Sequence, residues 1–248
     1  MRLLILGGTT EASALARQIA SCPGLEPVLS FAGRTRNPSP PPIPFRVGGF
    51  GGFTGLKAYL IERKTEAVID ATHPFAAQMS RNAVAACRTL GLPIAGLSRP
   101  AWRQQDNDRW TSVADMAGAV SALGDRRRRV FLTIGGMQLA EFARVPQHWF
   151  LVRTIDPPDG VSALPHHRLI LARGPFSVED EIALIRDEGI DTLVTKNSGG
   201  SATEAKIEAA RTLGIEVIIV ERPTPETYPV FHTVGDVLGW IEAHRSIP

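Results

Sequence analysis

Cysteine is scarce in this 248-residue chain: Cys22 and Cys87 are the only two, too few for a disulfide framework and in keeping with a reducing compartment. No apolar run approaches the roughly 18–20 residues that span a bilayer, and mean hydropathy is close to zero. The apolar stretch within Met1–Gly8 is too short for a signal peptide and lacks a small-residue cleavage site, so the cytoplasm is the expected location. An excess of either charge is missing too, with 27 Lys and Arg against 25 Asp and Glu and a net charge of +2. A nucleic-acid binder would show a strong local excess. The single basic run, Arg126–Arg129, reads as a solvated connector, with a backbone-binding patch as the competing reading.

Several catalytic signatures are also missing. No G-x-x-x-x-G-K-[ST] loop occurs, since Lys57 follows Leu56 rather than Gly. No G-x-S-x-G elbow is present, and Ser198 has no evident His/Asp partner in sequence. His166-His167 stands apart from any Cys or H-E-x-x-H context, so no metal is expected. Trp102, Trp110, Trp149 and Trp240 read as core or domain-contact residues rather than ring-stacking ones.

What the chain has is loop chemistry, 23 Gly and 19 Pro, set between alternating strand-like and helix-like stretches. That alternation predicts an α/β protein with mainly parallel sheets. Strands are expected at Leu3–Leu6, Pro27–Ala32, Ala67–Ala71 and Pro93–Leu97, and helices at Thr9–Ala20, Thr54–Arg63 and Ala77–Leu90. A Pro- and Gly-rich stretch from Gly33 to Phe53 reads as one long binding loop or lid.

A repeat sets the architecture. Residues 68–100 align without gaps on residues 191–223, an offset of 123, with Arg88-Thr89-Leu90-Gly91 matching Arg211-Thr212-Leu213-Gly214 and Arg99-Pro100 matching Arg222-Pro223. Leu6-Gly7-Gly8 is echoed by Ile134-Gly135-Gly136, and Ser112–Asp115 resembles Thr233–Asp236. Two similar α/β halves are expected, residues 1–124 and 125–248. Whether the last strand of each half, near Trp110 and Phe231, stays in its own sheet or crosses to the other is left open.

In open parallel sheets, ligands bind at the carboxyl ends of strands. Gly7, Gly8, Thr9, Thr10 and Glu11 form the first such turn, where glycine admits a ligand and a helix N-terminus favours a phosphate. The full G-x-G-x-x-G fingerprint is not met, since Thr9 takes the second glycine's place, and a bare tight turn competes. The second strand ends Ser30-Phe31-Ala32-Gly33-Arg34-Thr35-Arg36 without the acid that an NAD site places about 20 residues past the glycines. Arg34 there favours a 2′-phosphate, hence NADP, unless these are merely solvated loop arginines. Thr72 and His73 turn into a helix, and His73 can donate a hydrogen bond or a proton, or serve only as a cap. In the second half Gly135 and Lys196-Asn197-Ser198-Gly199 offer a cation, polar side chains and backbone donors suited to an anion or a cofactor amide. A plain turn is the alternative.

Taken in order, Ile5–Glu11, Gly48-Gly49-Phe50-Gly51-Gly52, Ile69–Ala76, Arg99-Pro100-Ala101-Trp102 and Val194–Gly200 resemble the precorrin-6A reductase family of cobalamin biosynthesis over nearly the whole chain. Gly136 departs from that pattern, which has a more variable, often larger residue there. The resemblance implies two Rossmann-like domains holding cofactor and tetrapyrrole in a cleft between them. It also implies an oxidoreductase acting on a CH–CH group, which reduces a double bond of precorrin-6A to give precorrin-6B with NADPH and no metal. Arg99, Arg103, Arg153 and Arg173 are then candidates for pairing with the carboxylates fringing the macrocycle, with surface salt bridges as the alternative. His73 and Lys196 are the candidate catalytic residues near the reacting carbon. A cobalt-precorrin substrate with NADH, or a non-catalytic NADP-binding redox sensor, are the rival readings. The tetrapyrrole and neighbouring pathway enzymes that hand it over are the expected partners, with neither nucleic acid nor membrane among them.

Overall fold

A computed structural model describes residues 1–33, 40–224 and 227–245. The chain runs β1 (Arg2–Leu6), α1 (Thr10–Ile19), β2 (Glu26–Phe31), β3 (Phe45–Val47), α2 (Gly52–Glu62), β4 (Ala67–Asp70), α3 (Ala77–Leu90) and β5 (Ile94–Leu97). It continues with β6 (Arg109–Val113), α4 (Met116–Leu123), β7 (Arg129–Thr133), β8 (Trp149–Thr154), β9 (His167–Leu171) and α5 (Val178–Asp187). Last come β10 (Thr192–Lys196), α6 (Ala205–Leu213), β11 (Glu216–Val220), β12 (Val230–Phe231) and α7 (Val234–His244). The region 33–53 is not one loop. Phe45–Val47 pairs with Leu29–Phe31 as a third strand, too short to leave an alternation signal in the sequence.

Two six-stranded parallel sheets result, ordered β12-β5-β4-β1-β2-β3 and β6-β11-β10-β7-β8-β9. Numbered in chain order the first sheet reads 3-2-1-4-5-6, the Rossmann order, and the second has the same arrangement once β6, which precedes its other strands in the chain, is counted in the sixth place. The sixth strands are exchanged. β6, which follows β5 in the chain, pairs with β11, and β12, which follows β11, pairs with β5. The expected boundary at residue 124 is therefore corrected: one unit is Met1–Pro100 with Pro223–Pro248, the other Ala101–Arg222. The internal repeat counts strands in chain order and carries no information on which sheet accepts the sixth.

Burial on both faces makes the central strands continuously apolar. In unit 1, Leu3, Ile5 and Ile69 face α1 and α7, while Leu4, Leu6 and Val68 face α2 and α3. Helix α1 buries Ala12, Leu15, Ala16 and Ile19, the i, i+3, i+4, i+7 stripe. In unit 2, Phe131, Leu151, Leu193 and Ile219 pack with Ile185 of α5 and Ile207 of α6. The repeated Arg-Thr-Leu-Gly segments turn out to be matching helix ends. Gly91 and Gly214 adopt φ 67° and 63° and cap α3 and α6, which glycine does without the Cβ penalty. His148 is fully buried ahead of β8, where it accepts from the Arg128 N–H at 3.2 Å. Burial holds its pKa below the usual histidine value. Among the described residues no helix is long and apolar enough to cross a membrane.

The exchange makes α7 part of unit 1, with Ile241 fully buried in its core. Ile241→Ala should cost about 2–5 kcal/mol, as large-to-small core substitutions do. By hydrogen exchange, the lost protection should fall on β1 and β5; loss confined to β7 and β10 would contradict the exchanged topology.

Candidate functional site

In unit 1 the strand order reverses between β1 and β4, the switch point at which open sheets bind ligands. The turn after β1 is shaped by packing. Gly7 donates its N–H to the Ser30 carbonyl at 2.9 Å, and a Cβ on it would lie 2.6 Å from Leu29 Cδ1. Gly8 has φ 119° with nothing among the described residues within 4 Å of where a Cβ would sit, leaving open backbone in front of α1. Thr9 caps α1, its Oγ1 accepting from the Ala12 N–H at 3.1 Å and donating to the Ala71 carbonyl at 2.9 Å. That second bond ties the turn after β1 to the turn after β4 across the switch point. Thr10 Oγ1 donates to Glu11 Oε2 at 3.0 Å, and Glu11 forms an ion pair with Arg99 at 3.0 Å. Arg99 is thus held beside the start of α1.

The turn after β4 is organised by a buried carboxylate. Asp70 is 5% exposed; its Oδ1 accepts from the Thr72 N–H at 3.1 Å and Thr72 Oγ1 at 2.7 Å, and its Oδ2 from the Tyr228 hydroxyl at 2.8 Å. Tyr228 precedes β12 and reaches this site only because the sixth strand is exchanged. His73 follows, with Nδ1 accepting from the Phe75 N–H at 3.2 Å. An accepting Nδ1 leaves the ring proton of neutral His73 on Nε2. Behind the sheet, burial pushes the Cys87 thiol up to about 12, with the Asp70 charge adding to the effect, so Cys87 is an inert core residue.

Ser30, at the carboxyl end of β2, is buried and accepts from Arg46 Nη1 at 2.8 Å. Arg34 lies outside the described residues. Gly7, Gly8, Thr9, Thr10, Glu11, Ser30, Thr72, His73 and Arg99 therefore share the carboxyl edge of one sheet.

Unit 2 gathers Gly135, Lys196, Asn197, Ser198 and Gly199 at the corresponding edge of its own sheet. The turn after β7 leads not into an α-helix but into a short 3-10 helix, Leu139–Arg144. Gly135, at φ 78°, is open like Gly8, yet no long helix starts behind it. Asn197 is 3% exposed and works as a brace: Oδ1 accepts from the Trp102 N–H at 2.9 Å, and Nδ2 donates to Glu221 Oε2 at 3.3 Å. Arg222 donates to the Asn197 and Ser198 carbonyls at 2.9 and 3.0 Å, and Trp102 Nε1 to the Gly200 carbonyl at 3.2 Å. Lys196 ends β10 half-buried. Arg103 and Arg173 are exposed.

Arg153 does not stand at a rim. It is 9% exposed, its two terminal nitrogens reach both oxygens of Glu181, and its guanidinium lies 3.8 Å from the Phe176 ring centroid. A buried strand residue facing a helix carboxylate has its charge already matched, which corrects its expected role toward a ligand carboxylate. Sequence reasoning missed Asp70, Tyr228, Arg46, Trp102 and Arg222 as shapers of these loops. Asp70 and Arg222 stood in quoted motifs, whereas Tyr228 gave no signal short of the exchanged topology.

The family model for precorrin-6x reductase CbiJ/CobK matches residues 2–242. The chain belongs to that family. The precorrin-6A reductase of Rhodobacter capsulatus is 49% identical over 100% of this chain and 98% of its own length. A solved structure titled CobK precorrin-6A reductase is 49% identical, with a TM-score of 0.93, covering 100% of this chain and 98% of that one. The cobalt-precorrin-6A reductase of Priestia megaterium is 27% identical over 95% of this chain and 96% of its own length. Gly136 faces Pro158, where a Cβ would meet Pro158 Cβ at 2.6 Å.

If the charge of Arg153 is matched inside unit 2, Glu181→Ala should leave a buried unpaired guanidinium and cost about 3–5 kcal/mol. Urea unfolding measures it; a loss below about 1 kcal/mol would return Arg153 to the pool of ligand-facing arginines.

Proposed function

We propose that the chain is an NADPH-dependent precorrin-6A reductase of cobalamin biosynthesis, which saturates one double bond of the macrocycle to give precorrin-6B in the cytoplasm. The observation that carries the cofactor part is the turn after β1 in unit 1. There Gly8 leaves open backbone, a ten-residue helix begins at once, and the strand order reverses beside it. These features suit a dinucleotide pyrophosphate, which takes N–H donors and the positive end of the helix dipole. The substrate part rests on family membership and on relatives named precorrin-6A reductase at 49% identity, against 27% for one named for the cobalt form.

A nicotinamide cofactor held at the turn after β1 would supply the hydride equivalent for saturating the double bond, the second hydrogen arriving as a proton. The protein's part is then mainly positioning and electrostatics. Thr9 holds the turns after β1 and β4 together, so both sides of the switch point keep one spacing. Asp70 and Tyr228 fix the backbone from which His73 projects. His73, with Nδ1 occupied by the Phe75 N–H, presents a proton on Nε2 toward substrate. Within unit 2, Lys196 is the candidate cation, and the loop Asn197–Gly199 is kept in shape by Trp102 and Arg222. Arg103 and Arg173, which are exposed, and Arg99, whose ion pair with Glu11 is partly exposed, pair with ring carboxylates, while Arg153, buried with both terminal nitrogens on Glu181, takes no part. Arg34 retains a role toward the 2′-phosphate.

Purified protein should oxidise NADPH only when metal-free precorrin-6A is added, and faster than with cobalt-loaded substrate. Oxidation without any precorrin, or binding of NADP with no turnover, would contradict the reading. His73→Ala should lower turnover about a hundredfold, the scale of a positioned proton donor; unchanged turnover removes His73 from the chemistry.

A further inference from the structure

We propose that Arg46 reads the 2′-phosphate of the dinucleotide and so sets a preference for NADPH over NADH; this rests on the cofactor reading above. Arg46 lies on β3 opposite Ser30 of β2, one residue inside the carboxyl ends of both strands. Its guanidinium reaches past those ends. Nη1 donates to Ser30 Oγ and the Gly48 carbonyl, both at 2.8 Å, and Nη2 to the Gly49 carbonyl at 3.1 Å. The guanidinium carbon stands 4.0 Å from the Phe50 ring centroid and 5.4 Å from that of Tyr59. Those two rings meet edge-on at 5.1 Å and form a shelf that fixes the plane of the charge.

These partners are all neutral. Among the described residues no carboxylate lies within ion-pair distance of Arg46, whereas Arg99, Arg128, Arg153 and Arg211 each have one. A half-buried cation without a counter-ion is costly unless something anionic completes it. The hydrogen bonds described use three of its five N–H groups, leaving Nε–H and one Nη2–H for an acceptor. Among the described residues the space in front is open: a Cβ on Gly49 would meet nothing within 4 Å, and one on Gly48 only Arg46 Nη2 at 4.0 Å.

The position matters as much as the charge. In a sheet of order 3-2-1-4-5-6 the end of β2 is where the adenosine ribose is read, by an acid for a 2′-hydroxyl or by an arginine for a 2′-phosphate. Ser30–Gly33 contains no acid. What stands there is Ser30 with the Arg46 guanidinium bonded to it. A planar, pre-oriented fork suits a phosphate better than a flexible ammonium does.

Calorimetric titration of the intact protein with NADP⁺ and with NAD⁺ tests this on wild type, Arg46→Met and Arg46→Lys. The wild type should prefer NADP⁺. Arg46→Met should lower the ratio of NADP⁺ to NAD⁺ affinity by about 10- to 100-fold, the loss of one or two charge-assisted hydrogen bonds. Arg46→Lys, which keeps the charge and loses the fork, should fall between. Equal losses for both dinucleotides in Arg46→Met and in Arg46→Lys would mean that Arg46 only braces the Gly48–Gly49 loop, and would overturn the inference alone. A wild type that prefers NAD⁺ or binds neither would overturn the NADPH reading and the inference with it.

Discussion

A parallel sheet buries both faces, and each strand added to it needs a crossover that returns the chain to the same end. In this protein the fifth crossover of each sheet does not return. After β5 the chain leaves at Arg99-Pro100 and supplies β6 to the other sheet; after β11 it leaves at Arg222-Pro223 and supplies β12 to the first. Each departure is pinned by the arginine that precedes the proline. Arg99 is held by Glu11 at the start of α1, and Arg222 by the carbonyls of Asn197 and Ser198. Both points of exchange are therefore fastened to loops at the carboxyl edges of the sheets, so the topology and the shape of the candidate site share the same few bonds. Tyr228 on Asp70 is a third such link, since it brings the returning segment to the turn that carries His73.

The two units share an order but not an endowment. Unit 1 follows its first strand with the ten-residue helix α1; unit 2 follows β7 with a six-residue 3-10 helix. A helix that short has little aligned dipole to offer an anion. The division of labour we propose follows from that difference: dinucleotide phosphates at unit 1, and a braced, cationic loop from Lys196 to Gly199 in unit 2.

Much of this was readable in the sequence, because the signals were local. The Ala77–Leu90 helix, the apolar central strands and the Gly-Gly turn each rest on residues close together in the chain. The 123-residue offset revealed two halves because helix caps and strand ends recur in the same spacing. Four things were not readable, each for a physical reason. Phe45–Val47 is too short for any period to appear. The partner of a sixth strand depends on which edge is open, a property of the folded sheet. The settings of Arg99, half-buried in an ion pair with Glu11, and Arg153, buried with both terminal nitrogens on Glu181, are decided by carboxylates 88 and 28 residues away in sequence. The β3 charge that stands near the end of β2, Arg46, was hidden for the same reason: its meaning comes from Ser30 across the β2–β3 pair.

The central claim is that the turn after β1 in unit 1 is the phosphate cradle. Difference hydrogen exchange with and without saturating NADP⁺ tests it most directly. The account predicts added protection at Gly7–Ala12, at Thr72–Ala76 and at Gly48–Gly49. Protection confined to Ile134–Met137 and Lys196–Gly200, with the amides of α1 unchanged, would contradict it.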